Sequence, residues 1–151
     1  MLALVVLLVV GLVAGAVAWG LQRSQRPEPE RGPSWSVPSL LDRTHFERPD
    51  APWLVAVFSS STCLACADVR EKAAALASEE VAVVALDAVA ERDLHQRYGI
   101  DAVPMVLVVD AGGIVRRHFV GPVTATDLWA AVAELREPGS VPPGCDGTVC
   151  G

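Results

Sequence analysis

At 151 residues the chain has room for one domain of ordinary size plus extras, and its net charge of −6 sets nucleic-acid binding aside, because no Lys/Arg cluster offers phosphates a foothold. The apolar content of 52% is inflated by residues 2–21, yet the roughly 120 residues beyond position 31 still suffice to bury one core. Charge divides along the chain, from net +1 over residues 1–31 (three Arg, two Glu) to net −7 over residues 32–151 (nine basic, sixteen acidic), and the four cysteines fall as two pairs, too few for a disulfide-stapled miniprotein.

Leu2 to Leu21 runs without a charge. As a helix it is about 30 Å long, which matches the hydrocarbon core of a bilayer. Trp19 sits near one end, where an indole lies at headgroup level. Ala16-Val17-Ala18 has the small-x-small form of a signal-peptide cleavage site, but no basic residue precedes the run, and the run is long for a signal. Residues 1–22 are therefore read as one transmembrane anchor in the cell membrane. Arg23, Arg26 and Arg31 follow it, and the positive-inside rule then puts the rest of the chain on the cytoplasmic face. The extracytoplasmic face is the alternative.

Residues 23–36 form a Pro/Arg/Glu linker with Pro27, Pro29 and Pro33. From residue 37 the pattern turns globular, and Leu40, Leu41 and Phe46 suit a short amphipathic helix. Trp53 to Phe58 is an unbroken apolar run of strand length, as expected of a strand buried on both faces. A helix is expected from Cys63 to about Ala77, a strand over 81–86, and a helix over 91–98 stopped by Gly99. Strands over 105–109 and 114–120 flank Asp110-Ala-Gly-Gly113 as a hairpin. Thr124 caps a last helix to about Arg136, with Leu128, Trp129, Val132 and Leu135 at helical spacing. Two βαβ-type crossovers, a hairpin and a helix predict an α/β fold: a mixed sheet with helices on both faces.

Cys63 and Cys66 stand where a strand gives way to a helix. A thiolate is favoured at a helix N-terminus by unpaired N–H groups and the macrodipole, so Cys63 is the expected nucleophile. Cys66, one turn deeper, is the expected resolving cysteine. A Cys-x-x-Cys is also half a zinc site, but no second pair stands at ribbon or finger spacing.

The strand WLVAVF, the motif CLAC, Asp87, Tyr98-Gly99-Ile100, Val103-Pro104 and Gly121 together resemble the thioredoxin family over residues 37–137. The resemblance implies a thioredoxin-like three-layer fold with a mixed central sheet, here preceded by one transmembrane helix. It implies that Pro104 is a cis-proline against the disulfide and that Val103 offers its backbone to an extended substrate. It also implies protein thiol or disulfide substrates and a redox partner, with no cofactor and no metal. The sequence departs from the family at Thr62 and Leu64-Ala65, where thioredoxin has Trp and Gly-Pro. It departs again at Val57, where the family's buried acid would fall, and at Val83, about where a lysine would stand. Without that acid, Cys66 needs water or another base as proton acceptor.

Residues 138–151 form a Gly/Pro-rich tail ending in Cys145 and Cys150, readable as a second dithiol relaying electrons to Cys63 and Cys66, as an inert disulfide, or as free thiols. Four gathered thiolates could instead take up Cu(I) or zinc. His45, His95 and His118 show no partner pattern and are expected at the surface, and Trp53 and Trp129 are expected in packing. Two functional classes follow: a membrane-tethered thiol–disulfide oxidoreductase, or a non-catalytic thioredoxin-fold module that binds a partner or metal through the same cleft.

Overall fold

The structure is a computed structural model that describes residues 35–140. The expected anchor, nearly all of the linker, and Cys145 and Cys150 lie outside the described residues. Among the described residues no helix is long and apolar enough to cross a membrane.

The elements are a 3₁₀ turn (Arg43–His45), β1 (Trp53–Ser59), α1 (Leu64–Ala74), β2 (Val81–Asp87), α2 (Arg92–Arg97), β3 (Met105–Asp110), β4 (Val115–Val120) and α3 (Ala125–Arg136). The sheet is mixed and four-stranded in the order β2-β1-β3-β4. β1 runs parallel to β2 and antiparallel to β3, and β4 is antiparallel to β3. The central position of β1 explains its unbroken apolar sequence. Both of its faces are covered, so alternation with polar residues would bury unpaired polar groups.

Two apolar layers flank the sheet. Leu54, Ala56, Phe58, Met105 and Leu107 pack with Leu41, Phe46, Leu94 and Tyr98 on one face. Val55, Val57, Val106 and Val108 pack with Val69, Ala73, Leu128 and Val132 on the other. α1 and α3 therefore share one face, and α2 with the segment before β1 covers the other.

Only the first connection is a parallel crossover, which corrects the expectation of two. α2 has six residues and rises about 9 Å, whereas a strand of this sheet spans about 20 Å. Such a helix cannot carry the chain back to the far end, so β3 starts near where β2 stops and runs the other way. The segment around Leu40 and Phe46 also differs from expectation, forming a single 3₁₀ turn in place of an amphipathic helix. Leu40 bridges to Ile114, the Leu41 N–H donates to the Gly113 carbonyl at 2.8 Å, and Asp42 caps the turn. Sheet-edge hydrogen bonds have taken the backbone groups that a helix would have used.

Candidate active site

β1 ends at Ser59, which is buried and faces the end of β2. Its Oγ donates to the Leu86 carbonyl at 3.3 Å, and its carbonyl accepts the Ala88 N–H at 2.8 Å. The next residues turn tightly. The Cys63 N–H donates to the Ser60 carbonyl at 3.1 Å, the Thr62 N–H to Ser60 Oγ at 3.3 Å, and the Ser60 and Thr62 hydroxyls are 3.0 Å apart. Small hydroxyl residues thus supply the bonds that a sharp strand-to-helix turn needs.

This turn sets Cys63 at the N-cap of α1, with extended backbone and no side-chain cap bond. The Cys66 N–H donates to the Cys63 carbonyl at 3.2 Å, and the two side chains are joined in a disulfide with a Cα–Cα distance of 5.3 Å. Cys63 is half-buried, while Cys66 is sealed from solvent. The free N–H groups of the first helical turn face the Cys63 position, where they favour negative charge on sulfur.

The Val103–Pro104 peptide bond is cis, and Pro104 is buried. Phe58 pairs with Met105, so Pro104 lies beside Ser59 at the sheet end that carries the cysteines. The Gly121 N–H donates to the Pro104 carbonyl at 2.8 Å, holding the loop after β4 against it. Neither the N–H nor the carbonyl of Val103 bonds to the backbone of the described residues. Val57 is fully buried among aliphatic side chains, and Val83 pairs with Val55 in the sheet. No carboxyl or amine stands at either position.

Asp87 closes β2 opposite Ser59. Its Oδ1 accepts the Val89 N–H at 2.9 Å and the Ala90 N–H at 3.4 Å, while Oδ2 is enclosed and makes no hydrogen bond. The Val89 bond chiefly, helped by Ala90 and the neighbouring Ser61 against an upward pull from burial, holds its carboxyl below the ordinary aspartate value.

The thioredoxin family model matches residues 43–134, more than half of the chain. The chain belongs to the thioredoxin family. Solved thioredoxins share the fold. The germline-specific thioredoxin Deadhead of Drosophila melanogaster is 21% identical with a TM-score of 0.53, covering 61% of this chain and 89% of its own. Mitochondrial thioredoxin 3 of Saccharomyces cerevisiae, in its oxidised form, is 20% identical with a TM-score of 0.51, covering 66% of this chain and 95% of its own. A point mutant of thioredoxin from Halobacterium salinarum NRC-1 is 22% identical with a TM-score of 0.50, covering 58% of this chain and 76% of its own. No curated protein sequence matches the chain.

Within this thioredoxin fold two surroundings escape the sequence. His95 is buried, which corrects the expectation of a surface residue. Its ring meets Phe58 edge-on at 5.0 Å, and Nε2 lies 3.2 Å from the Leu86 carbonyl. Glu91, Leu94, His95 and Tyr98 recur at helical spacing on the covered face, a pattern masked by the charged residues between them. Leu64, considered in the sequence only as a spacer residue, is 94% exposed. His45 is partly buried, with Nδ1 2.7 Å from the Tyr98 hydroxyl, and His118 is exposed on β4. Trp53 is partly buried, whereas Trp129 is 46% exposed and donates from Nε1 to the Lys72 carbonyl at 3.1 Å. The fold and the Cys63–Cys66 pair support thiol–disulfide exchange with protein thiols in general.

Proposed function

We propose that the chain is a membrane-tethered thiol–disulfide oxidoreductase of thioredoxin type that exchanges its Cys63–Cys66 disulfide with extended polypeptide substrates. The observation that carries this reading is the asymmetry of the pair: Cys63 half-exposed at the helix N-cap, Cys66 sealed one turn behind it and bonded to it. In the reducing direction the Cys63 thiolate attacks a substrate disulfide, and a mixed disulfide forms as the first substrate sulfur leaves. Cys66 then attacks Cys63 Sγ, and the second substrate sulfur departs as thiolate and takes a proton. The oxidising direction is the same path reversed. The backbone of Val103, beside Pro104, receives the substrate segment as an extended strand. The proton of Cys66 passes to water or another base, since Val57 cannot take it.

The tether is supported by the uncharged run Leu2–Leu21, and the cytoplasmic side by Arg23, Arg26 and Arg31. Two measurements test the reading. In glutathione buffers of defined ratio, alkylation and peptide mass spectrometry should show Cys63 and Cys66 closing and opening as one reversible pair. A pair that never closes removes the exchange activity. Reporter fusions at the C-terminus should give a fluorescent green fluorescent protein and an inactive alkaline phosphatase, and the opposite pattern moves the domain to the other face.

A further inference from the structure

Two exposed aliphatic side chains lie at the cysteine end of the sheet, beside the exposed hydroxyl residues Ser61 and Thr62. Leu64 is 94% exposed and Val89 is 67% exposed, and no charged residue occurs from Ser59 through Cys66. Leu64 follows Cys63 directly. Val89 follows Ala88, whose N–H is bonded to Ser59, so both side chains belong to the cysteine end of the sheet. An aliphatic side chain held almost wholly in water contributes nothing to the core and gains only when a partner covers it.

The chain itself carries a matching segment. Residues 138–151 hold one charged side chain, Asp146, and Thr148-Val149-Cys150 sets an aliphatic side chain beside a cysteine. A segment with so little charge escapes most of the repulsion that an acidic one would meet from residues 32–137, which carry net −6.

Where the tail departs decides which of its cysteines can arrive. α1 and α3 both run away from the cysteine end. The indole of Trp129 bonds to the Lys72 carbonyl, and Arg136 pairs with Glu80, whose carbonyl accepts the Trp53 N–H at the start of β1. The Ser140 N–H donates to the Glu137 carbonyl at 3.0 Å and pins the tail's root to that far end. From there to the cysteines is the length of β1, about 20 Å, plus the turn that follows it. Cys145 lies five residues past Ser140 and extends at most about 18 Å, less through Pro142-Pro143. Cys150 lies ten residues past Ser140 and extends to about 36 Å.

We propose that Leu64 and Val89 seat this chain's own C-terminal segment, and that Cys150, not Cys145, forms a mixed disulfide with Cys63. The proposal rests on the exchange activity assigned to Cys63 and Cys66. The Cys150 thiolate attacks Cys63 Sγ. The Cys63–Cys66 bond breaks, the Cys63–Cys150 bond forms, and the electron pair leaves on Cys66, which takes a proton. Cys66 in turn attacks Cys63 Sγ and releases Cys150 as thiolate, so the mixed disulfide opens by the reverse of the step that formed it. No outside reagent is consumed in either direction. Leu64 and Val89 pack on Val149 while the mixed disulfide stands.

Two double variants of the full chain in detergent micelles test this. Cys66→Ser/Cys145→Ser leaves Cys63 with Cys150, and Cys66→Ser/Cys150→Ser leaves Cys63 with Cys145. Equilibration with oxidised and reduced glutathione, read by peptide mass spectrometry, gives the effective concentration of each pair. The Cys63–Cys150 pair is expected to reach the millimolar range, independent of protein dilution and monomeric on non-reducing gels. The Cys63–Cys145 pair should fall at least tenfold lower. Equal values, no intramolecular disulfide, or disulfides only between two copies each overturn the proposal. The Cys145→Ser/Cys150→Ser chain runs in the same buffers. Failure of its Cys63–Cys66 pair to close removes the exchange reading itself, whereas closure there with no Cys63–Cys150 bond removes only the tail's role.

Discussion

Cys66 is sealed from solvent one helical turn behind Cys63, and the 5.3 Å between their Cα atoms separates a reachable sulfur from an unreachable one. The difference comes from the fold. Cys63 stands where the chain leaves the Ser60–Thr62 turn, and Cys66 is already on the buried side of α1 with Val69 and Ala73. A division of labour between two chemically identical groups thus comes from position on one helix.

That division should appear as reactivity. In the reduced protein, iodoacetamide is expected to modify Cys63 at least about tenfold faster than Cys66, because attack needs both a thiolate and access. Peptide-resolved mass spectrometry over a time course measures the two rates separately from those of Cys145 and Cys150. Equal rates would show that burial does not separate the roles.

Val57→Asp restores a carboxyl where the family resemblance expects one. Val57 is fully buried among aliphatic side chains, so the substitution should cost about 2–5 kcal/mol in urea denaturation at neutral pH. It should also add an inflection to the pH profile of the exchange rate, since the new acid can take the proton of Cys66. A stable variant with an unchanged profile would show that this position has no access to the redox chemistry.

Much of the fold is legible in the sequence, for definite reasons. WLVAVF announces β1 because a strand covered on both faces has no polar alternation to blur it. Thr124 announces α3, and in the structure its hydroxyl accepts the Asp127 N–H at 3.1 Å. The second connection is hidden because periodicity reports that a helix exists, not whether its length returns the chain to the other edge. His95 is hidden because Arg92, Asp93, Gln96 and Arg97 make the whole helix look solvated. The outward direction of Leu64 follows from where α1 sits on the sheet, and local sequence carries no record of that.

Arg43 is a buried cation whose partners are backbone carbonyls. It donates from Nη1 to the Asp110 carbonyl at 2.7 Å and from Nη2 to the Ala51 carbonyl at 2.8 Å, while Nε is enclosed without a partner. Desolvation lowers its pKa from the ordinary arginine value, against the attraction of Asp110 and Asp50. Arg43→Ala strands two carbonyls and leaves a hole, and should lower stability by about 2–4 kcal/mol in chemical denaturation. A loss below about 0.5 kcal/mol would mean that water replaces the guanidinium freely.

Acid should unfold the domain partly through Asp110. Burial pulls its carboxyl upward, but the Ile114 N–H at 3.0 Å, Arg116 Nε at 2.7 Å and the Gly112 N–H at 2.9 Å outweigh that pull and set the folded pKa below the unfolded one. The stability so gained is complete above about pH 4, the unfolded value, and is lost as pH falls through the lower folded value. Asp42, held down chiefly by the Thr44 hydroxyl, and Asp87 act in the same direction. Urea midpoints measured from about pH 6 down to about pH 2.5 should therefore fall below pH 4, and less steeply in Asp110→Asn. A variant whose acid limb superimposes on that of the parent would remove Asp110 from the account.

The two glycines that frame β4 separate backbone strain from steric overlap. Gly113 and Gly121 both have left-handed φ, at +83° and +91°. A Cβ at Gly121 meets nothing within 4 Å, so Gly121→Ala carries the conformational cost alone, about 1–2 kcal/mol. A Cβ at Gly113 would overlap the Leu41 carbonyl oxygen, which cannot easily retreat because the Leu41 N–H is bonded to the Gly113 carbonyl at 2.8 Å. Gly113→Ala therefore carries the same strain and also pushes the segment before β1 off the hairpin, losing that bond and the Leu40–Ile114 bridge. Urea denaturation of the two variants should place Gly113→Ala lower by a further 1–3 kcal/mol or so, roughly one or two lost hydrogen bonds. Hydrogen exchange should show the Leu41 amide deprotected in Gly113→Ala and unchanged in Gly121→Ala. Equal losses in the two variants would show that the edge contact at Leu41 adds nothing to stability.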